Sequence, residues 1–323
     1  MSPGSRFHFT FLYNHAQRKE GNPMRHKTKD TLQTYAMLLP NLFLFLVISV
    51  YPVVWALQYM LFDYDGIIQA KFVGLDNFVR VFTRDPVFWK SVVNTFVYAG
   101  GKIALIIPLA FMAAFLINRP KRLYAGVQAI IFSPTIMSSA VMALVFYLLF
   151  NVYNGEVNRM MQTAGLISAP INWLGRQNAM KTVIIVAVWG GVGNYMVYFL
   201  AGLQQIAPDM YESADIDGAQ PLTKLFKITL PLLGPVLKTI LMLAIIHAFQ
   251  DMTSILVLTE GGPFNATKVM FLHIYQLYYP PADGAPFHPQ YGYGAAVSVV
   301  AAAIVGVITL GYTRISKKLD DIY

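Results

Sequence analysis

The chain has 323 residues, of which 56% are hydrophobic and 12% charged. That charged share is about half of what a soluble domain carries. The absence of cysteine excludes disulfides, thiol catalysis, iron–sulfur clusters and cysteine-based zinc sites. A net charge of +8 is compatible with an acidic partner, but it also fits a membrane protein whose basic residues mark the cytoplasmic side. We favour the second interpretation and expect no nucleic-acid partner.

The hydropathy pattern divides the chain into a polar tail and a membrane domain. Residues 1–34 are basic and predict a cytoplasmic tail, because the apolar run that follows is too long for a signal peptide. Six apolar segments follow, each close to the ~20 residues that a helix needs to cross a bilayer. They cover residues 35–60, 92–117, 125–150, 182–203, 237–258 and 295–312. We therefore predict an all-α membrane domain over 35–316 with six transmembrane helices and a short tail at 317–323.

The distribution of basic residues predicts the orientation. Lysine and arginine are about twice as frequent in the segments that lie inside when the N-terminus is inside as in the outer loops. This bias predicts that both termini are cytoplasmic. Before the second segment, Asp85 and Pro86 are typical of a helix start with a capping carboxylate and a proline in the first turn.

The loop at 205–234, between the fourth and fifth segments, predicts an elbow of two short helices. Pro208 can begin the first helix, and Gly218 can end it in a left-handed conformation. Pro221 would then begin the second helix and Pro231 would close it. The loop carries four acids, which fit either a basic groove on a cytoplasmic partner or a solvated surface: Asp209, Glu212, Asp215 and Asp217.

The same loop resembles the "EAA" loop of permease subunits of ABC importers, and the chain resembles the carbohydrate branch of that family. The matching residues are Glu212, Ser213, Ala214, Gly218, Ile228, Leu230 and Pro231, with Ser213 in place of an alanine. Other short sequence motifs that resemble those of the family occur in the same order along the chain: Gly74-Leu75-Asp76-Asn77, Asn94-Thr95, Ala201-Gly202-Leu203-Gln204, Thr259-Glu260-Gly261-Gly262-Pro263 and Tyr291-Gly292-Tyr293-Gly294.

The resemblance implies the rest of an import machine. It implies a second homologous permease subunit, two ATPase subunits that bind the elbows, and an extracytoplasmic protein that delivers the solute. The sequence has no G-x-x-x-x-G-K-[ST] phosphate loop. We therefore expect no cofactor on this chain and no enzymatic activity, with ATP and Mg²⁺ on the ATPase subunits.

Polar residues in the fifth and fourth segments are candidates for the solute path. His247, Gln250, Asp251 and Ser254 have the spacing of one helical face, and ionisable groups at membrane depth usually face a water-filled path or a polar partner. An alternative is a hydrogen-bonded cluster that holds helices together. The fourth segment adds Asn194, Tyr195 and Tyr198, whose rings fit either sugar stacking or the membrane interface.

Two functions compete with solute import. A secondary transporter or channel would need inverted repeats or ion-binding broken helices, and the sequence indicates neither. A membrane-embedded enzyme would need a catalytic or metal motif, and the six histidines have no metal-ligand spacing. The resemblance leaves the solute open between neutral sugars, glycerol phosphate and acidic oligosaccharides.

Overall fold

The computed structural model describes residues 23–67, 69–118, 122–280 and 288–317. The chain divides into two compact units, Met1–Gln58 and Tyr59–Tyr323. Most of the predicted N-terminal tail, residues 1–22, and the C-terminal residues 318–323 lie outside the described residues.

The first unit is one helical run over its described residues. It consists of α1 (Pro23–Leu44), a π-helical segment (Phe45–Val50) and α2 (Tyr51–Leu57). Pro52 lies in the first turn of α2 and has no N–H to donate, and the wider π turn just before it accommodates that loss. The helix begins well before residue 35, so the polar stretch from Pro23 is helical.

The second unit begins with a small hairpin. A 3₁₀ segment (Gln58–Leu61) leads into β1 (Phe62–Asp63), which pairs antiparallel with β2 (Lys71–Phe72), and α3 (Asp76–Thr83) follows. The Asn77 amide donates to the carbonyl oxygens of Met60, at 3.0 Å, and Phe62, at 2.9 Å. This side chain therefore fixes the hairpin to the start of α3.

Two long helices form the centre of the second unit. They are α4 (Pro86–Ile117) and α8 (Ala179–Leu203). The Asp85 carboxylate accepts a hydrogen bond from the Phe88 amide at 2.8 Å, which confirms the predicted cap. A Cβ on Gly193 of α8 would lie 2.6 Å from the carbonyl oxygen of Ile131, so only glycine permits this close approach between helices.

The third predicted segment is broken. It consists of α5 (Arg122–Ile136) and α6 (Ser139–Leu149), bent by 95° at the break. Pro134 lies near the end of α5, where it removes a helical donor and crowds the carbonyl one turn earlier. Ser138 is then extended, with φ −58° and ψ 135°. The prediction of one continuous helix over 125–150 is therefore wrong.

The fifth predicted segment is broken as well. Its run begins inside the predicted elbow, with α10 (Pro221–Lys224), a π segment (Leu225–Thr229) and α11 (Leu230–Leu232). A 68° bend leads into α12 (Gly234–Gln250), and α13 (Thr253–Thr259) follows after two non-helical residues. The remaining helices are α7 (Glu156–Thr163), α9 (Pro208–Ile216), α14 (Met270–Tyr278) and α15 (Tyr291–Ser316).

The count of membrane spans follows from these bounds. Among the described residues, four helices are long and apolar enough to cross a bilayer: Gln33–Leu61, Pro86–Ile117, Ala179–Leu203 and Tyr291–Ser316. The two bent pairs, one in the third and one in the fifth segment, raise the number to six when each is counted as one span. The all-α membrane fold is thus confirmed, with four spans by this criterion and the predicted six when both bent pairs are counted.

Candidate functional site

The break after α12 determines the geometry of the site. Helix α12 ends at Gln250, and Asp251 is extended, with φ −68° and ψ 120°. Helix α13 then begins at Thr253. The prediction that His247, Gln250, Asp251 and Ser254 share one face of a continuous helix is therefore wrong, because the helix stops between the second and third of them.

An ion pair holds the Asp251 carboxylate. Its Oδ2 accepts from the Lys102 ammonium at 2.8 Å and from the Tyr98 hydroxyl at 2.5 Å. Lys102 also donates to the Tyr98 oxygen at 3.3 Å. The side chains of Lys102 and Asp251 are only 12% and 17% exposed. Charges so far from water need a partner, and here each is the partner of the other.

A cavity of about 200 Å³ opens beside this pair. It lies among α4, α5, α6, α8 and the break between α12 and α13. Its polar lining consists of Lys102, Thr135, Ser139, Asn194, Tyr195, His247, Asp251 and Ser254. Thr135 donates from its hydroxyl to the Gly190 carbonyl at 3.1 Å, so α5 and α8 meet at the cavity wall. The arrangement offers amide, hydroxyl, imidazole and carboxylate groups to a polar solute within apolar helices.

The structure brings most, but not all, of the predicted path residues together. His247, Asp251 and Ser254 line the cavity with Asn194 and Tyr195, although the first three come from two helices and the break between them. The other two predicted residues are not in its lining: Gln250 is exposed, and Tyr198 makes an edge contact with the Tyr195 ring at 6.2 Å.

Three residues in and beside the cavity were missed by the sequence reasoning: Tyr98, Lys102 and Thr135. A lysine in the middle of an apolar 32-residue helix is itself a signal of function. Tyr98 lies four residues earlier and therefore on the same helical face. The position of Lys102 therefore marks it as a candidate from the sequence alone. Its partner Asp251 could not be identified in this way, because it lies 149 residues away along the chain.

The elbow has the predicted first arm and turn. Helix α9 begins at Pro208, and Gly218 follows it with φ +71°. The Ala219 amide donates to the Ala214 carbonyl at 2.9 Å, and the Gly218 amide to that of Asp215 at 3.1 Å. These bonds satisfy the last carbonyls of the helix, and the left-handed φ explains why glycine stands here.

The second arm differs from the prediction. It begins at Pro221 as expected, but it continues through the π segment and α11 to Leu232. Pro231 therefore lies inside α11 and does not close the arm, because a proline in the first turn of a helix needs no donor. The Tyr211 and Thr229 hydroxyls, 3.0 Å apart, join the two arms.

The elbow presents a mixed apolar and acidic surface. Asp209, Glu212, Asp215 and Asp217 are exposed, as is Ser213, whereas Ala214 is buried. Large apolar side chains are exposed beside the acids: Met210, Ile216, Leu222 and Phe226. The remaining residues of the predicted motif, Ile228, Leu230 and Pro231, are half-buried at the base of the second arm. Lys224 makes an ion pair with Asp215 across the elbow.

A second polar cluster lies at the start of α4. Oδ2 of Asp85 accepts from the Tyr293 hydroxyl at 2.6 Å and lies 3.1 Å from Nε2 of His273. Burial alone would raise the pKa of Asp85, but hydrogen bonds from His273, Tyr293 and the Phe88 amide, with the charge of His273, lower it below its ordinary value of 3.8. This carboxylate therefore joins α4, α14 and α15.

Comparison with known proteins gives one family. Residues 106–321 match the model described as "Binding-protein-dependent transport system inner membrane component". The chain is 32% identical to the lactose transport system permease protein LacF of Rhizobium radiobacter, over 85% of this chain and 91% of that protein. It is also 32% identical to the trehalose/maltose transport system permease protein MalF of Thermococcus litoralis, over 91% of this chain and 97% of that one.

Solved structures give a similar fold. One chain of a bacterial ABC transporter involved in the import of the acidic polysaccharide alginate matches with a TM-score of 0.76 and 25% identity, over 91% of this chain and 98% of that one. A structure of bacterial alginate ABC transporter in complex with an alginate pentasaccharide-bound periplasmic protein matches with a TM-score of 0.77 and 25% identity, over 91% of this chain and 97% of that one.

Proposed function

This chain belongs to the family of binding-protein-dependent transport system inner membrane components, and from that premise we propose that it forms half of the membrane path of a sugar or oligosaccharide importer. It is a multipass protein of the inner membrane and a transport component, not an enzyme. The proposed class of solute is supported by the names of its relatives, which include permeases for lactose, for trehalose and maltose, and for sn-glycerol-3-phosphate.

The polar cavity beside Asp251 carries this proposal. Amide, hydroxyl and carboxylate groups hydrogen-bond sugar hydroxyls, and five side chains predicted for the path line one space: His247, Asp251, Ser254, Asn194 and Tyr195. Lys102 and Thr135 add a donor and a hydroxyl. Such groups are costly in a membrane and are usually kept for a path or a partner.

The elbow supports a mechanical link to an ATPase. We propose that two ATPase subunits bind the elbows of this chain and of a second homologous permease, with ATP and Mg²⁺ held by the ATPases. The contact would use the exposed acids and apolar side chains of the elbow, opposite a basic groove with an apolar floor. Glu212, Ser213, Ala214 and Gly218 would form its first arm and turn, and Ile228, Leu230 and Pro231 the base of its second.

The proposed cycle is alternating access. Closure of the ATPases would move the two elbows and shift the permease pair between inward-open and outward-open states. An extracytoplasmic binding protein would deliver the solute to the outward-open state. The proposed orientation, with both termini in the cytoplasm, puts the elbow on the ATPase side and the Asp85 cluster on the binding-protein side.

The ion pair also favours a second role for Asp251. It joins α4 to the break after α12 within this one chain, so it stabilises the fold as well as lining the cavity. Both described partners of Asp251, Lys102 and Tyr98, belong to this chain, so the contacts that the structure gives this carboxylate are intrachain.

Uptake by the reconstituted complex tests the proposal. The chain would be purified in complex with a second homologous permease and ATPase subunits, placed in vesicles with the binding protein, and offered a panel of neutral and acidic oligosaccharides. We expect uptake, read by mass spectrometry of the vesicle contents, that requires both ATP and the binding protein. Uptake driven by an ion gradient without either would instead indicate a secondary transporter.

A further inference from the structure

We propose that the Lys102–Asp251 pair keeps this chain's part of the solute path electrically neutral, so that the path accepts uncharged oligosaccharides and disfavours anionic ones. This inference rests on the proposed function and narrows its substrate class. Lys102 thereby becomes a specificity-determining residue, although its charge would at first suggest a ligand for an acidic sugar.

The charges in the cavity cancel. Its lining contains one cationic side chain, Lys102, and one anionic side chain, Asp251, with an N–O distance of 2.8 Å. His247 is the other basic group in the lining. The pair therefore contributes no net charge to the cavity wall.

An anionic sugar would find no available counter-charge here. A substrate carboxylate that reached the Lys102 ammonium would also lie close to the Asp251 carboxylate, which is 2.8 Å from that ammonium, only 17% exposed, and of the same charge as the substrate. Moving Lys102 away from Asp251 to avoid this repulsion would break a buried ion pair, which is strongly unfavourable. Tyr98 also holds Asp251 in place. Its hydroxyl donates a hydrogen bond to Asp251 Oδ2 from the same helix that carries Lys102.

The remaining contacts suit hydroxyl groups. Both hydrogen bonds that the described residues give to Asp251 end on Oδ2, so Oδ1 can accept from a sugar hydroxyl. Asn194 supplies an amide that both donates and accepts, and Ser254 supplies a hydroxyl. These groups can hydrogen-bond the hydroxyl groups of a solute that carries no charge.

Charged thiol reagents can measure the cavity potential directly. Ser139 lines the cavity and is exposed, and the chain has no native cysteine, so Ser139→Cys gives one thiol on this chain. In the assembled complex in membranes, its reaction rates with sulfonatoethyl (anionic) and trimethylammonioethyl (cationic) methanethiosulfonate would be compared. The ratio is divided by that of a free thiol in solution, and modification of this chain is read by mass spectrometry.

The expected ratio is close to one while the pair is intact. Adding Asp251→Asn should favour the anionic reagent by about tenfold, and adding Lys102→Met should favour the cationic reagent by about as much. The double variant should return the ratio close to one, and it keeps the test valid if a single variant does not assemble. A preference of tenfold or more for the anionic reagent with the pair intact would overturn the proposal.

The outcome also separates this inference from the function on which it rests. A clear preference for the anionic reagent overturns neutrality alone, since it still shows a water-filled cavity of an importer. No reaction with either reagent, in any nucleotide state, would contradict the aqueous path itself, and the neutral-path proposal would fail with it.

Discussion

Two Lys–Asp pairs in this chain have the same chemistry in different surroundings. Lys102 and Asp251 lie 149 residues apart, join two helices at membrane depth, and are 12% and 17% exposed. Lys224 and Asp215 lie nine residues apart in the elbow, and their side chains are 19% and 67% exposed, so only the carboxylate partner is open to water. Solvent-exposed pairs contribute about 0–1 kcal/mol, whereas breaking a buried pair costs about 3–5 kcal/mol. The surroundings, not the residue types, determine what each pair does.

The largest effect is expected at the buried pair. Asp251→Ala leaves the Lys102 ammonium without its counter-charge, and we expect the free energy of unfolding to fall by about 3 kcal/mol. Uptake by the reconstituted complex should fall at least about tenfold, and thermal unfolding in detergent would measure the stability. The adjacent Gln250→Ala is the matched control, because that side chain is exposed outside the cavity.

A double variant separates the two roles of this pair. Lys102→Met with Asp251→Leu replaces the ion pair by apolar side chains and should recover most of the lost stability. Uptake should stay low, because the polar wall of the cavity is gone. Recovery of uptake together with stability would show that the pair only holds the helices together.

An intermediate effect is expected at Asp85, a carboxylate with three hydrogen-bond partners at the start of α4. Asp85→Asn removes the charge that pairs with His273, and we expect a loss of about 1–3 kcal/mol at neutral pH. Because the folded-state pKa is lowered, this stabilisation is complete above the ordinary pKa of 3.8 and is lost as the pH falls through the folded value.

A pH series measures this prediction. The difference in unfolding temperature between wild type and Asp85→Asn should be largest at neutral pH and should shrink below about pH 4. A difference that grew as the pH fell would contradict the lowered pKa of Asp85.

A smaller change in stability, with a larger change in coupling, is expected in the elbow. Gly218→Val places a β-branched residue at φ +71°, which costs about 1–2 kcal/mol of local strain. Glu212→Lys reverses the charge that the elbow presents to a basic groove on the ATPase. Solute-stimulated ATP hydrolysis should fall while membrane insertion is unchanged. Gly306→Val is the control, since that helical glycine has open space around it. Normal stimulation in both elbow variants would remove the elbow from the coupling contact.

The smallest effect is expected at the exposed pair. Lys224→Met should change the free energy of unfolding by less than about 1 kcal/mol, because water screens the charge and solvates Asp215. Thermal unfolding of Lys224→Met and of Asp251→Ala under the same conditions compares the contributions of the two pairs. A loss as large as that of Asp251→Ala would show that the surroundings of the two pairs do not set their strength.

The features that the sequence predicted correctly depend on residues that lie close together in the chain. The elbow's first arm depends on neighbours in the chain, so Pro208 and Gly218 are sufficient to place it. The family prediction also depends on short sequence motifs that occur in a fixed order, and it is confirmed by the match over residues 106–321. The span count required only hydropathy.

The parts that the sequence missed depend on distant contacts. Asp251 was predicted inside a helix because nothing local ends one there, whereas the structure places it in a break beside Lys102. The bend after Pro134 was missed for a related reason, since a proline within a membrane helix is often tolerated. Periodicity alone does not distinguish a continuous helix from one that distant side chains interrupt.

The central claim is that the cavity beside Asp251 is part of the solute path, and thiol labelling tests it most directly. Asn194→Cys lines the cavity, whereas Met196→Cys, two residues along the same helix, is fully buried. In the assembled importer we expect a membrane-impermeant thiol reagent to label Cys-substituted position 194 at a rate that changes with the nucleotide on the ATPases, and to leave position 196 unlabelled. Equal labelling of both positions, or a rate at 194 that ignores the nucleotide, would contradict the claim.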